Sequence, residues 1–483
     1  MKLKKVVSAL LVGTMLLSCV ACGNNSSNNA DKKDENNDSK TPSTESADNN
    51  EGDGDDSADA TGDGKLVIWT LAEDLGQFAD HYMESHPDVE IETRVIQPAD
   101  YVTTIQTALN GGATEPDVIV GEPQMLEDMF DAGYFEDLDQ APYNAQDYAD
   151  QIVDYVWEVG QDADGHQRAI SYQITPAGFY YRRDIAETVF GTSDPEEVGK
   201  LFKDYATILD TAQKVKAAGP YRLFASDSEL GFFSGQAPWV VDNTLNVDQV
   251  RYDYMDLVVE LYQQDLTAYA AQWATPWYQA MSGPVPLLTA ETQWGNDDLN
   301  VWDATQFASA TEGMDTVEVM AYGLPAWGVL TLRDNVGDTS GKWGVCSGPA
   351  PGFSGGTYIG ISSLSERKDT AWDFVKFCTL DEETADWWIV QSEGDTVSLK
   401  SALEKHADDG NETYGGQKLY EFWMNAAEDI DYSIVTRYDK AIGDAWGNAI
   451  SSVKNGEKTK EDAINAFYDE VASVYPELTI NRE

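Results

Sequence analysis

The chain has 483 residues, 42% of them hydrophobic, with 14 Trp and 24 Tyr. That is more chain than one hydrophobic core accommodates, so two or more lobes are expected. A formal net charge of −54 repels phosphate backbones and anionic headgroups, which argues against a nucleic-acid partner and favours neutral or cationic ligands.

Lys2, Lys4 and Lys5 precede a short apolar run, VVSALLVGTMLL (Val6–Leu17). A positive segment followed by an apolar stretch too short to span a bilayer reads as a secretory signal. The run closes on SCVACG, which resembles a bacterial lipobox. Cys22, with Ala21 before it, is expected to carry the fatty-acyl (palmitate-type) lipid and to begin the mature chain. Cys19, preceded by Leu16-Leu17-Ser18, is the alternative. A plain signal peptide with incidental cysteines is the competing reading. Residues 23–64 are rich in Asn, Asp and Ser and nearly free of apolar side chains. Such a segment cannot bury enough surface to offset its ordering entropy, so a disordered acidic tether is expected. Its end, DGDDSADATGDG, lacks the glutamate and spacing of a calcium loop.

At Lys65 the composition changes. KLVIWT reads as a buried strand, and LGQFADHYMESHP has apolar positions at helical spacing and stops at Pro87. VEIETRVI is a second strand, YVTTIQTALNGG a helix ended by Gly111-Gly112, and PDVIVG a third strand before the helix MLEDMFDAG. Strand–helix alternation with short links predicts an α/β fold with parallel strands and right-handed crossovers. Ligands of such sheets bind beyond the strand carboxyl ends, here Trp69–Asp74 and Gly121–Gln124. DADGHQRAISYQITPAGFYYRRDI then gives a turn at Asp164-Gly165 and an apolar strand; its DADG reads as a turn rather than a metal loop. Helical patterns cover 196–219 and 247–266. The Trp-rich stretch that follows has too many Pro and Gly for one element. Further helices are predicted in DTAWDFVKFCTLDEETADWWIVQ and over 437–454 and 459–474.

His81, His86, His166 and His406 form no spaced ligand motif, so neither a metal nor a cofactor is expected. Cys346 and Cys378 read as two separate buried thiols, with a disulfide between them as the alternative.

Several segments, in order, resemble the extracellular solute-binding lipoproteins of carbohydrate ABC importers, the family that includes maltose-binding protein. KLVIWTLAEDLGQFADHYMESHPDVEIE is similar to the opening strand and helix, and ALNGGATEPDVIV to the small-residue turn and next strand. DAGYFEDLD and GHQRAISYQITPAGFYYRRDI resemble the approach to the first crossover. AWGVL, GKWGV and PAPGFSGGTYIGISSLSERKDTAWDFVKF resemble the return crossover and its helix. The resemblance covers most of 65–483 and departs from the family around 277–316. It implies a two-lobed periplasmic-binding-protein-like fold of type II, each lobe a sheet flanked by helices, joined by hinge crossovers. One lobe would comprise 65–175 with 358–405, the other 176–357 with 406–483. It also implies a monomer, lipid-anchored on the extracellular face of the bacterial cytoplasmic membrane. That monomer would capture an oligosaccharide and deliver it to the transmembrane subunits of an ABC permease.

Sugar binding needs flat apolar faces for ring C–H groups and carboxylates or amides for hydroxyls. Trp327 in PAWGV matches a position where the family often places a stacking aromatic. Trp239 in GQAPWVVDN, Trp277 and Trp294 stand in loop-like contexts that a helix face does not explain. Asp74, Glu122 and Gln124 lie just past strand ends, with Glu73 beside Asp74. Tyr172 and Tyr358 flank the expected crossovers. Each has a bland counterpart: core packing for the aromatics, a solvated surface for the acids. GFSGG (Gly352–Gly356) formally matches G-x-S-x-G, but prolines precede Ser354 and a β-like run follows, so no catalytic residue is expected. The readings in competition are an oligosaccharide receptor, a peptide or polyamine receptor, and a surface glycoside hydrolase.

Overall fold

Trp69 and its neighbours form a strand because an uninterrupted apolar run can be buried on both faces of a sheet. The computed structural model describes residues 65–235, 237–289 and 299–482. Cys19, Cys22, the acidic segment and Trp294 lie outside the described residues. β1 (Leu66–Thr70), α1 (Leu75–Ser85), β2 (Ile91–Val95), α2 (Pro98–Asn110), β3 (Val118–Gly121) and α3 (Pro123–Asp131) follow in the predicted order. α1 buries Leu75, Phe78, Ala79 and Tyr82, the residues its spacing placed on one face. α2 starts with Pro98 in its first turn and gives way to Gly112 at φ +77°, a left-handed conformation that glycine adopts without strain.

The chain continues through β4 (Ala169–Ser171), β5 (Ala177–Arg182), β6 (Tyr221–Phe224), and the ribbon β7 (Val240–Val241) with β8 (Thr244–Leu245). β9 (Val285–Pro286), β10 (Thr316–Pro325), β11 (Trp343–Cys346) and β12 (Tyr358–Ile361) follow. Two five-stranded sheets result. The first has the order β2-β1-β3-β12-β4. Its β1 is parallel to β2 and β3, as expected, while β12 runs antiparallel between β3 and β4, with Tyr358 opposite Gly121 and Ser171. The second has the order β11-β5-β10-β6, with β9 paired to β10. Within it β5 is antiparallel to both neighbours, and only β6 lies parallel to β10.

The single apolar strand expected across residues 169–182 is in fact two strands, one in each sheet. Ser171 breaks the run by turning back on Gln173: its hydroxyl donates to the Gln173 carbonyl at 3.1 Å and accepts from the Gln173 N–H at 3.2 Å. Pro176, which cannot donate to a ladder, then meets Phe353.

Three segments pass side by side between the sheets. Residues 172–176 lead out of the first, 352–357 lead back, and 395–398 lie alongside. The Ser398 N–H donates to the Tyr172 carbonyl at 2.7 Å, the Thr396 hydroxyl to Ile174 at 2.6 Å, and the Ala177 N–H to Gly352 at 2.7 Å. Gly352 is required by close approach, since a Cβ there would stand 1.9 Å from the Phe232 carbonyl oxygen. One apolar cluster runs from β1 and β3 through Tyr172 and Ile174 to Trp277, Tyr322 and Trp343. Another packs Phe179, Phe202, Phe224 and Phe233 with Trp446 and Phe467.

The helical pattern over 196–219 is two helices, Pro195–Gly199 and Tyr205–Ala218, and the others are present as Gln249–Gln263, Asp439–Lys454 and Lys460–Val474. DTAWDFVKFCTLDEETADWWIVQ makes two helices, Lys368–Thr379 and Glu382–Ser392, divided where Asp381 caps the second through the Thr384 N–H. Cys346 and Cys378 are free and buried, and burial pushes both thiols well above their ordinary range. Among the described residues no helix is long and apolar enough to cross a membrane.

Candidate functional site

The carboxyl ends of β1 and β3 deliver Asp74 and Glu122, each at the start of a helix and neither capping it. Both side chains are half-buried. Burial pushes the Asp74 carboxyl up to about 6 against the opposing pull of the Arg333 guanidinium. Burial raises Glu122 to about 7, and the amide of exposed Gln124, which donates to it, works in the other direction. Carboxyls that titrate near neutral pH can either accept from a hydroxyl or donate to one.

The segment 352–357 brings the two lobes together at this point. A Cβ built on Gly355 would lie 3.9 Å from Cδ of Glu122 and 3.3 Å from Nε1 of Trp327. Glu122 from the first sheet and Trp327 from the second therefore face the same glycine, which sits at φ +75°. The Trp327 indole N–H donates to the Ser354 carbonyl at 3.0 Å, which fixes the ring while leaving it only half-buried. Trp273 stacks on it, with ring centroids 5.9 Å apart and planes at 30°. Trp327 also starts the helix Gly328–Asn335, whose Arg333 reaches back to the Ser392 carbonyl at 2.7 Å and to the field of Asp74.

Asp395 lies beneath these groups, wholly buried. It accepts from Trp388 Nε1 at 3.0 Å, from Gln173 Nε2 at 3.1 Å and from the Thr396 N–H at 2.9 Å. Burial, helped by the charge of Asp74, raises it to about 7. Tyr172 is buried next to these acids with its hydroxyl beside Thr357, so it belongs to the joint between the lobes.

Other expected residues are placed differently. Trp239 is packed against Trp446 and Phe467, with the Arg251 guanidinium 3.7 Å over its ring. Trp239 does lie in a loop, just before β7, but its ring is buried there, so it is core packing and not a face for a sugar. Trp277 is also fully buried; it lies in the first turn of the helix Thr275–Ser282, under Trp273, and supports a face rather than offering one. Tyr358 is buried in β12 and donates to the Val156 carbonyl at 3.2 Å, a structural contact. Ser354 is followed by β12 and not by a helix, so the elbow geometry is not met.

Trp273, Arg333 and Asp395 were missed in the sequence. For Trp273 a signal existed: Pro276 marks the first turn of the next helix, which leaves Trp273 in the turn before its N-cap Ala274. Its backbone stands at φ +67°, a conformation a bulky residue rarely takes. Asp137, Asp139 and His166 also approach one another, their ligand-type atoms all within 4.8 Å, although no spaced motif joins them. A groove of about 540 Å³ between the helices Tyr205–Ala218 and Gln249–Gln263 contains none of the expected residues.

Comparison with known proteins agrees with this architecture. Residues 77–414 match the family described as bacterial extracellular solute-binding protein. No curated protein matches the chain. Among solved structures, an extracellular solute-binding protein of family 1 is 18% identical, with a TM-score of 0.65 over 85% of this chain and 99% of its own. The ABC transporter associated binding protein of B. animalis subsp. lactis Bl-04, in complex with β-1,6-galactobiose, is 18% identical, with a TM-score of 0.62 over 86% and 99%. The galacto-N-biose/lacto-N-biose I-binding protein of Bifidobacterium longum, in complex with lacto-N-biose, is 15% identical, with a TM-score of 0.61 over 88% and 100%. The fold is thus the two-lobed fold of periplasmic binding proteins. The chain belongs to the bacterial extracellular solute-binding protein family.

Proposed function

We propose that this protein is the receptor of an ABC importer, lipid-anchored through Cys22, that captures an oligosaccharide outside the cell and hands it to a membrane permease. The observation that carries the reading is the meeting of Glu122 with the Trp327–Trp273 pair across Gly355. Indole faces suit the C–H surface of a pyranose, and the carboxyls of Asp74 and Glu122 suit its hydroxyls. The sugar complexes of similarly folded proteins lend support. The lobes, 65–175 with 358–405 and 176–357 with 406–483, close around the ligand because the closed form makes contacts with it that the open form cannot. The receptor works as a monomer and performs no covalent chemistry.

The same acids and indoles favour a second reading, a cationic peptide or polyamine held by charge and cation–π contacts. Calorimetric titration of the full chain with β-1,6-galactobiose, lacto-N-biose and maltose, at low and high salt, separates the two. Sugar binding is expected to be saturable, insensitive to salt and without turnover, whereas cation binding weakens steeply with ionic strength. Failure of every sugar to bind more tightly than about millimolar, with polyamine binding at low salt, overturns the first reading.

A further inference from the structure

Glu229 lies in the short 3-10 helix Asp227–Phe233 and is 0% exposed. Among the described residues no ion pair includes it. A buried carboxyl without a counterion is costly, and hydrogen bonds offset that cost. There are two, one on each oxygen. Oε1 accepts from Nε1 of Trp277 at 2.7 Å, and Oε2 accepts from the Gly323 N–H of β10 at 3.0 Å. The approach to β10 is so close that a Cβ on Gly323 would stand 1.8 Å from the Glu229 carbonyl oxygen. Glu229 thus ties the Trp277 indole to a central strand of the second sheet.

The tie leads outward to the cleft. The Trp277 ring is 4.7 Å from that of Trp273, and Trp273 in turn stacks on Trp327. Trp277 is also held at its own carbonyl by the Tyr322 hydroxyl, at 3.3 Å. The only member of this series with a strained backbone is Trp273, at φ +67°. A ring attached to a strained backbone keeps its orientation only if its neighbours over-determine it, and Trp277 is the neighbour on its inner side.

We infer that Glu229 is a positioning residue: by fixing the Trp277 indole, its buried carboxyl sets the angle of the Trp273–Trp327 pair on which the sugar seats. This role rests on the reading of the cleft given above. It makes Glu229 a determinant of which sugar face fits, although Glu229 touches no ligand.

The test uses the full chain carrying Glu229→Gln or Trp277→Phe. The first leaves one acceptor for two donors, and the second keeps the ring but removes its N–H. Each variant is titrated with β-1,6-galactobiose, lacto-N-biose and maltose, alongside Trp273→Ala. Thermal unfolding and ligand-free circular dichroism in the tryptophan bands are recorded for each. Both variants are expected to change the coupled indole signal and to weaken sugar binding by about tenfold, the scale of one lost buried hydrogen bond. The double variant should be no weaker than the worse single one, since both act through one contact. Both variants should also lower the unfolding midpoint, since each leaves a buried polar group unpaired, so titrations are run well below either midpoint; a lowered midpoint with unchanged affinity and dichroism is what a purely structural role would give. Should Glu229→Gln fail to fold, Trp277→Phe decides alone. Unchanged dichroism and affinity in the glutamate and phenylalanine variants, beside a Trp273→Ala variant that has lost binding, overturn the role of Glu229. A Trp273→Ala variant that binds normally overturns the reading of the cleft and that role together.

Discussion

Trp239 follows Ala-Pro and Trp327 follows Pro-Ala, so the two begin from nearly the same local sequence. Their surroundings in the fold are opposite. Trp239 has Trp446 and Phe467 around it and Arg251 on its face. Trp327 has Trp273 on one side, a backbone carbonyl on its N–H, and Glu122 across a glycine. Both rings are held, but only one is left with room beside it. A tryptophan becomes a binding surface through what distant segments leave uncovered, and local sequence does not encode that.

The comparison breaks most readily by truncation. Trp239→Ala should cost about 3–5 kcal/mol of stability in denaturant unfolding, the usual loss for a buried tryptophan, while leaving sugar affinity intact. Trp327→Ala should do the reverse: binding falls by about 30-fold or more, as for an interface anchor, with a much smaller change in unfolding. Equal loss of affinity in the two variants would erase the distinction.

The buried and half-buried acids sharpen it next. Burial holds Asp74 at about 6, Glu122 and Asp395 at about 7, and Glu229 at about 8, all above ordinary carboxyl values. The folded protein therefore binds more protons than the unfolded chain between about pH 4 and the highest of these values. Stability is then greatest at the acidic end of that range and falls as pH rises from about 5 to 8. Relief of charge repulsion at low pH acts in the same direction. Denaturant midpoints across that range check the sign, and Asp395→Asn should flatten the slope. Stability that rises with pH would contradict the burial of these groups.

The smallest effect concerns the thiols. Cys346 sits in the second sheet and Cys378 in the helix Lys368–Thr379, both buried and unpaired. Neither should react with an alkylating reagent until the chain unfolds, and a reductant should leave the unfolding midpoint unchanged. A mass difference of one disulfide in the native protein would show otherwise.

Much of the fold was legible because it is written in local pattern. The apolar runs of β1 and β3 need burial on both faces, and the spacing of α1 needs one apolar side. Once those strands are parallel, Asp74 and Glu122 fall at the carboxyl ends without further information. The rest depends on long-range meetings. The run over residues 169–182 has no charged residue before Arg182, and Ser171 turning on Gln173, with Pro176 beyond, divides it between two sheets. Trp273 becomes visible through its neighbour 327, Glu229 through Trp277 and Gly323, and Asp395 through Gln173 and Trp388. Such partners are 7 to 222 positions apart, and no periodicity links them.

The most direct test is fluorine NMR of the full chain with fluorinated tryptophan, each resonance assigned by a Trp→Phe replacement, as a binding sugar is added. The Trp273 and Trp327 resonances should shift and saturate together, with Trp239 unmoved. A shift at Trp239, or none at Trp273 and Trp327 while sugar binds, would place the ligand elsewhere and contradict the account.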